Sequence, residues 1–233
     1  NSVVFSKINF DFITDENLQK TLQLLQKRED YNHSLENKLE RIVFCKSYLL
    51  DNEETFLKTL NILRKQSKNI LTTQKIQLVK ANVLSNQASK ETHPDYYIEA
   101  IALLDSIISN NKDSNTYKLA IQKKQSITSK SLSIQLQKQS YSNENNRALI
   151  QYKNSNTIVL SFYKITQNQS ELFRNSRFQK DSLTDVIIKN QKAITTKNYA
   201  LLNKKDYFIY TTEVLLPQLQ TGNYLVYFES DSD

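Results

Sequence analysis

The two histidines and the one cysteine are the residues best suited to acid–base, nucleophilic or metal chemistry. His33 and His93 lie far apart in the sequence, and neither belongs to a pattern that places two imidazoles on one helix face. A serine or cysteine nucleophile needs a base and an orienting group within hydrogen-bond reach, and neither histidine has such a context. We expect both histidines to be loop or helix-start residues. The sequence predicts no catalytic residue, no metal site and no cofactor-binding residue.

Cys45 is the only cysteine, which excludes an internal disulfide and a multi-thiolate metal site. It follows Ile42, Val43 and Phe44, so a small buried hydrophobe is favoured over a reactive thiol. A chain without disulfides fits the cytosol or a Gram-negative envelope. The single glycine, Gly222, excludes the glycine-rich loops that bind phosphate.

The acidic and aromatic residues have structural explanations. Asp51, Glu53 and Glu54 suit a helix start, where carboxylates complement the helix dipole. The acidic tail 229–233 lacks the ligand spacing and the bidentate glutamate of a calcium loop. The 13 tyrosines and 10 phenylalanines could stack on nucleic-acid bases, but many fall in apolar-patterned segments, which favours a role in the core.

The charge balance permits an anionic partner without demanding one. The chain has 31 Lys and Arg residues against 24 Asp and Glu residues. The resulting net charge of +7 could favour binding to nucleic acid or to a lipid surface. The lysines are spread along the chain, which predicts solvated faces and no nucleic-acid site. No apolar run reaches transmembrane length, and residues 1–10 show no signal peptide. Because the sequence contains no methionine, we expect an excised piece or a processed product.

The first half of the chain has a helical hydrophobic period, as in Tyr97, Ile101, Leu104 and Ile108. Asp51 with Glu54 has the form of a capping box, and Pro94 suits the first turn of the helix that contains Tyr97. Helices are predicted at 15–29, 34–50, 52–68, 70–90, 94–110 and 114–126. Hairpins then begin near residues 15, 51 and 94, close to the roughly 34-residue period of tetratricopeptide (TPR) repeats. We therefore predict a divergent, TPR-like array of antiparallel helical hairpins.

After Ile127 the period changes to two, as in the alternation of Leu132, Ile134 and Leu136 with polar residues. Residues 166–178 are predicted to form a polar insertion or short helix, and Gly222 a turn with positive φ. Strands are predicted at 132–136, 148–152, 158–163, 185–188, 193–202, 207–216 and 224–228. Seven short strands indicate an antiparallel β-sandwich. The predicted fold class is α+β in two segregated domains, residues 1–127 and 128–233.

Three stretches resemble the bacterial alpha-2-macroglobulin family, in the branch with helical repeats ahead of the macroglobulin-like domains. One is the helix Tyr96–Leu104 with its continuation through Asp113 and Ser114 to Ile121. The second is 127–135 with 148–154 and 158–165, similar to the "strand, Tyr-Lys-Asn, strand" opening of a macroglobulin-like sandwich. The third is 213–224, similar to the "Leu-Pro-x-Leu-x-x-Gly-x-Tyr" closing hairpin.

The resemblance implies a large envelope protein that traps a protease after the protease cuts a bait segment. Many members also carry a Cys-Gly-Glu-Gln thioester, which is missing here because Cys45 is followed by Lys46, Ser47 and Tyr48. The implied function is that of a non-catalytic amino-terminal fragment of an alpha-2-macroglobulin-like protease inhibitor. Its location would be the periplasm or the outer-membrane-associated envelope.

The implied partners are target proteases or envelope proteins, with no nucleic acid and no small-molecule substrate. Membrane contact would run only through a lipid anchor outside this sequence. The alternative is a TPR-like protein- or peptide-binding module unrelated to protease inhibition, in which the concave face of the array holds the partner. An enzyme would need a convergent site that the sequence does not display.

Overall fold

The chain folds as an α+β protein in which helices come first and antiparallel sheets follow. The structure, a computed structural model, describes residues 10–11, 13–48, 53–110, 115–137, 141–175 and 180–231. Two compact units divide the chain, Asn1–Ile127 and Thr128–Asp233. The first, the helical unit, contains six helices within its described residues. The second, the sheet unit, contains the strands and two further helices.

The six predicted helices are all present, with bounds that differ from the prediction by a few residues. They are α1 Glu16–Tyr31, α2 Leu35–Tyr48, α3 Glu53–Gln66, α4 Ile70–Gln87, α5 Tyr96–Asn110 and α6 Asn115–Thr128.

Side-chain caps fix where two of these helices begin. The Asp15 carboxylate accepts the backbone N–H of Leu18 at 3.0 Å, and the Asn69 side chain accepts that of Leu71 at 2.8 Å. The predicted Asp51 cap lies outside the described residues. The prediction for Pro94 was wrong, because Pro94 precedes the first residue of α5, and the backbone N–H of Glu99 bonds to the carbonyl of Asp95.

The core of the helical unit follows the apolar stripes that the sequence showed. One cluster joins α1 to α4 and contains Phe10, Leu22, Leu39, Ile42, Cys45, Phe56, Leu60, Leu63 and Ile76. Further along, Ala81, Ala100 and Ala120 are fully buried on α4, α5 and α6. Small side chains permit close helix packing, so Ala81 and Ala100 suit the contact between α4 and α5.

The sheet unit contains two three-stranded antiparallel sheets. Its strands are β1 Ser131–Leu136, β2 Arg147–Lys153, β3 Thr157–Ile165, β4 Thr195–Ala200, β5 Tyr210–Leu215 and β6 Asn223–Ser230. One sheet has the order β1-β2-β5 and the other β4-β3-β6. Burial alternates along β2 and β3, as a two-residue period requires.

Strands that are neighbours in sequence lie in different sheets at three points, between β2 and β3, between β4 and β5, and between β5 and β6. Between β2 and β3 the chain turns at Asn154, which has a φ of 56° and donates its side-chain N–H to the carbonyls of Thr128 and Ser129. Between β5 and β6 the chain again passes from one sheet to the other. The expectation that residues 213–224 form a hairpin was therefore wrong, because β5 pairs with β2 and β6 pairs with β3.

A single hydrophobic cluster takes side chains from both sheets. Its buried members are Ala148, Ile150, Tyr152, Ile158, Leu160, Phe162, Leu201 and Leu216. Several hydrogen bonds also join residues of different sheets or their flanks. The Tyr199 hydroxyl donates to the Leu215 carbonyl at 2.7 Å, and Lys130 Nζ donates to the Asp231 carbonyl at 2.7 Å.

Two helices, α7 Gln167–Asn175 and α8 Lys180–Asn190, lie between β3 and β4 in sequence. The first confirms the short helix predicted within 166–178. The second shows that the strand predicted at 185–188 was wrong. Leu183 and the buried Ile187 are one helical turn apart, so they share the packed face of α8, whereas Val186 is 55% exposed. Packing of that stripe outweighed the strand propensity of the β-branched residues.

The prediction of a positive φ at Gly222 was also wrong. Among the described residues, no glycine has a positive φ, and the left-handed region is occupied by Asn143, Asn154, Lys205 and Tyr207. A Cβ atom at Gly222 would meet Lys164 Cε and the Tyr224 hydroxyl at 3.4 Å, which is ordinary van der Waals contact. Neither backbone conformation nor space therefore requires glycine at this position.

We expect Gly222→Ala to leave the free energy of unfolding unchanged or to raise it by up to about 1 kcal/mol, because alanine restricts the unfolded chain more than glycine does. Urea denaturation measures this. Asn154→Ala is the contrasting variant, and it should destabilise, because it places alanine at a positive φ and removes two hydrogen bonds. A Gly222→Ala loss as large as the Asn154→Ala loss would show that glycine is required at position 222 after all.

Candidate binding groove and other polar sites

Cys45 is fully buried in the helical core, as the sequence predicted. Burial raises the pKa of its thiol above the usual value. Because the thiolate is the reactive form, a buried thiol with a raised pKa is a poor nucleophile. The thiol therefore acts as a packing group.

The two histidines lie in separate links of the helical unit, as expected for loop residues. His33 follows α1, and His93 lies between α4 and α5, where its ring stacks on Tyr96 with 4.2 Å between centroids. Within the described ranges, no group of three or more His, Cys, Asp and Glu side chains is placed to hold a metal ion. Within the same ranges, no helix combines the length and apolar character that crossing a bilayer needs.

Three of the carboxylates noted in the sequence, all within the described residues, have basic or amide partners. Glu53 and Glu54 lie in the first turn of α3 and pair with Lys46 and Lys58, each at 2.6 Å. Asp231, in the acidic tail, accepts hydrogen bonds from the backbone and side chain of Asn156. Burial alone would raise the pKa of Asp231, but these hydrogen bonds and the Lys130 charge hold it below the usual value. These carboxylates therefore stabilise the fold through ion pairs and hydrogen bonds.

A groove runs along α4 and α6 on the helical unit. It is an open surface groove of about 330 Å³, lined by Leu78, Asn82, Leu119, Gln122, Lys123 and Ser126. Leu78 and Asn82 are one turn apart on α4, and the α6 residues recur at spacings of three and four, so each set shares one helix face. The groove offers apolar contact at Leu119, which is 44% exposed, and polar contact from two amides, a hydroxyl and an ammonium.

Lys123 is the charged residue of this groove, and among the described residues it has no carboxylate partner. Its side chain is half-buried, and its Nζ bonds to the neutral Oδ1 of Asn86 at 3.3 Å. Burial lowers the pKa of Lys123 below the usual value. The next residue, Lys124, differs, because its Nζ lies 2.6 Å from Asp105 Oδ1. The groove therefore presents a partly desolvated positive charge that the described part of the chain does not neutralise.

The two helices that line the groove carry lysines and no acidic residue. The sequences of α4 and α6 contain Lys75, Lys80, Lys118, Lys123 and Lys124, and neither contains Asp or Glu. Of these five, only Lys75 and Lys124 form ion pairs within the described residues, and their partners are on other helices. Of the five, Lys123 alone is in the groove lining, so the positive charge that a partner would meet there is that of Lys123.

A larger cavity, of about 410 Å³, lies in the sheet unit. Phe162, Leu216 and Tyr224 contribute to its lining, along with Arg147. The Arg147 guanidinium is paired with Glu213 at 3.0 Å, so the positive charge at this cavity is balanced, unlike that of Lys123.

The loop before β5 contains a cluster of polar side chains around two residues with unusual backbone geometry. Lys205 and Tyr207 both have positive φ, a conformation that costs free energy for residues other than glycine. Side chains stabilise it, since Asn203 Oδ1 accepts the N–H of Lys205 and Asp206 Oδ1 accepts the N–H of Phe208. Asp206 also accepts the hydroxyl of Tyr210, and this hydrogen bond raises the pKa of Tyr210 to about 12.

The raised pKa of Tyr210 predicts a loss of stability at high pH. The folded state holds the phenolic proton more tightly than the unfolded state, whose pKa is about 10. Stability from this group is thus fully present below about pH 10 and is lost as the pH rises through about 12. We expect Asp206→Asn to move the Tyr210 pKa back towards 10, as followed by the ultraviolet absorbance of tyrosinate. Tyr210→Phe identifies the titration step, and an unchanged step in Asp206→Asn would contradict the assignment.

Sequence reasoning did not select Lys123 or Asn82. A signal for Lys123 was present, because Ala120, Lys123 and Ile127 have the spacing i, i+3, i+7 of one helix stripe. Ala120 and Ile127 are buried. A lysine on the same stripe therefore packs its aliphatic stem against the protein and becomes partly buried. Asn82 and Asn86 gave no comparable signal, because asparagine is common on exposed helix faces of this chain.

Comparison with known proteins produced no match, either to a family model or to a curated protein. The function is therefore inferred from the geometry above and from the three stretches that carry the family resemblance.

Proposed function

We propose that this chain is a non-catalytic part of an alpha-2-macroglobulin-like protease inhibitor of the bacterial cell envelope. Its helical unit would be an interaction or spacer element of TPR-like type. Its sheet unit would be a macroglobulin-like β-sandwich, one link in a series of similar domains. The proposed partners are target proteases or other envelope proteins.

One observation carries the proposal for the sheet unit. The inward side chains of β2 and β3, strands of different sheets, contribute to the same hydrophobic cluster. Two sheets that share one core through their inner faces have the layer arrangement of a sandwich. Two of the stretches that resemble the family bear on two of the three passages between the sheets. Segments 148–154 and 158–165 border the passage from β2 to β3, and 213–224 contains the passage from β5 to β6. The resemblance therefore falls on segments that determine the topology.

The non-catalytic part of the proposal is supported by where the reactive residues lie. Cys45 is a core residue, and His33 and His93 lie in different links. General acid–base or nucleophilic catalysis requires such groups within hydrogen-bond reach of one another. In the proposed role, the chain would contribute surfaces and spacing, while a bait segment elsewhere would be cut by the protease.

Protease capture tests the proposal with the protein at the full length that the cell makes. The protein is mixed with an active serine protease or with the same protease inactivated covalently at its active serine, and each mixture is separated by gel filtration. We expect active protease to co-elute with the protein and inactivated protease to elute alone, because trapping requires a cut. Equal capture of both forms, or of neither, would overturn the proposal.

The groove on α4 and α6 favours a second candidate function, a peptide-binding module. Its half-buried lysine has no carboxylate partner among the described residues and lies beside an exposed leucine and two amides, a set suited to binding a polypeptide segment. Binding of this kind requires neither protease trapping nor the macroglobulin assignment. The two proposals can therefore fail separately.

A further inference from the structure

We infer that the groove lined by α4 and α6 binds an acidic, leucine-containing peptide, with a peptide carboxylate on Lys123 and an apolar side chain on Leu119. This inference deepens the second proposed function, on which it rests, by naming the chemistry of the ligand.

Charge at Lys123 points to a carboxylate. The Lys123 side chain is half-buried and its Nζ donates to a neutral amide oxygen, so no counter-charge among the described residues offsets its positive charge. An ammonium can make several hydrogen bonds, and a charge-assisted bond to a carboxylate is stronger than one to a neutral acceptor. Among the described residues no carboxylate pairs with Lys123, and α4 and α6 contain neither Asp nor Glu, so a peptide carboxylate would supply a counter-charge that these residues do not.

The groove wall supplies the apolar contact. Leu78 and Leu119 line it together with Lys123, and Leu119 is 44% exposed. A volume of about 330 Å³ has room for one or two side chains. The Asn82 and Gln122 amides can pair with backbone N–H and carbonyl groups of an extended segment.

A peptide fits this surface better than a nucleic acid does. Nucleic-acid binding needs several phosphate contacts and aromatic side chains for base stacking. Among the described residues, the groove lining contains one basic residue and no aromatic residue. The lining instead combines apolar side chains, two amides and one cation. This set suits a peptide segment that carries a leucine next to an acidic residue.

The test measures fluorescence polarisation with the whole chain and three fluorescein-labelled octapeptides. The first alternates leucine and glutamate and is amidated at its carboxyl end, and the second replaces glutamate by glutamine. The third is the leucine–glutamine peptide with a free carboxyl end. We expect one carboxylate peptide, or both, to bind at least about tenfold more tightly than the amidated glutamine peptide. The first would indicate a side-chain carboxylate and the third a terminal one.

The variants locate the site. Lys123→Gln should weaken binding of the acidic peptide by about tenfold, and Lys124→Gln, the same change at the next residue, should leave it within about twofold. Leu119→Ser should also weaken binding, and circular dichroism checks that each variant is folded.

Equal affinity for the glutamate peptide and both glutamine peptides would overturn the carboxylate inference but keep the peptide-binding module. No measurable peptide binding, or tighter binding of labelled single-stranded DNA, would overturn both, and equal losses in the two lysine variants would overturn the assignment to this groove.

Discussion

Replacing Arg41 by methionine is expected to lower the free energy of unfolding of the helical unit by about 3–5 kcal/mol. Arg41 on α2 is 1% exposed, and its Nε lies 2.6 Å from Oε2 of Glu29 on α1, which is itself buried. The substitution leaves the Glu29 carboxylate in the interior without its counter-charge. A buried unpaired charge costs far more than an exposed one, because solvent no longer screens it.

The control for this prediction is the double variant Glu29→Met with Arg41→Met. Replacing both charges by apolar groups removes the unpaired carboxylate, so most of the lost stability should return. Urea denaturation followed by circular dichroism measures all three proteins. Equal losses in the single and the double variant would show that the cost arises from packing, and an unaffected single variant would contradict the buried ion pair.

The second large effect is expected at Phe162, where substitution by alanine should cost about 3–5 kcal/mol in the sheet unit. Phe162 is 1% exposed on β3, the central strand of its sheet, and it belongs to the cluster that contains residues of both sheets. Removing the ring leaves a cavity next to residues of both sheets. The neighbouring strands are fixed by hydrogen bonds to β3, so they cannot close that cavity fully.

Phe228→Ala is the matched control, because Phe228 on β6 is 40% exposed and should cost less than about 1 kcal/mol. The chain has no tryptophan, so hydrogen exchange with mass spectrometry is the better readout. Phe162→Ala should speed exchange in residues 147–165, and Phe228→Ala should leave it close to that of the unsubstituted protein. Similar effects of the two variants would contradict the shared core.

The helical half of the fold was the more predictable part. Apolar stripes such as Tyr97 with Ile101 and Leu104 repeat over several turns, and local links leave little choice of pairing. The buried role of Cys45 followed from the same pattern. The ion pair between Glu29 and Arg41 was not foreseen, because two charged residues on separate helices carry no local sign that they meet in the interior.

The sheet half was less predictable, because strand pairing is not local. Alternation identified β1, β2 and β3, but it contains no information on which strands are neighbours. Residues 213–224 were therefore expected to form a hairpin, whereas β5 and β6 belong to different sheets. At 185–188 the β-branched residues suggested a strand, and the helical spacing of Leu183 and Ile187 prevailed through packing.

The candidate groove depended on the structure for a different reason. Lys123 and Lys124 are identical neighbours in the sequence, and only their partners distinguish them. The lysine content of α4 and α6 was visible as part of a diffuse net charge. Its concentration on the two helices that line one groove became evident only once α4 and α6 had been located.

The proposed protease-inhibitor function is tested most directly by the size of substrate that a captured protease can still cleave. The full-length protein is mixed with a protease, and cleavage of a folded protein substrate is compared with cleavage of a short chromogenic peptide. If the protein traps the protease, cleavage of the protein substrate should be nearly abolished while most cleavage of the peptide remains. Only the peptide is small enough to reach the active site of the trapped protease. Loss of both activities, or retention of both, would contradict protease trapping by this protein.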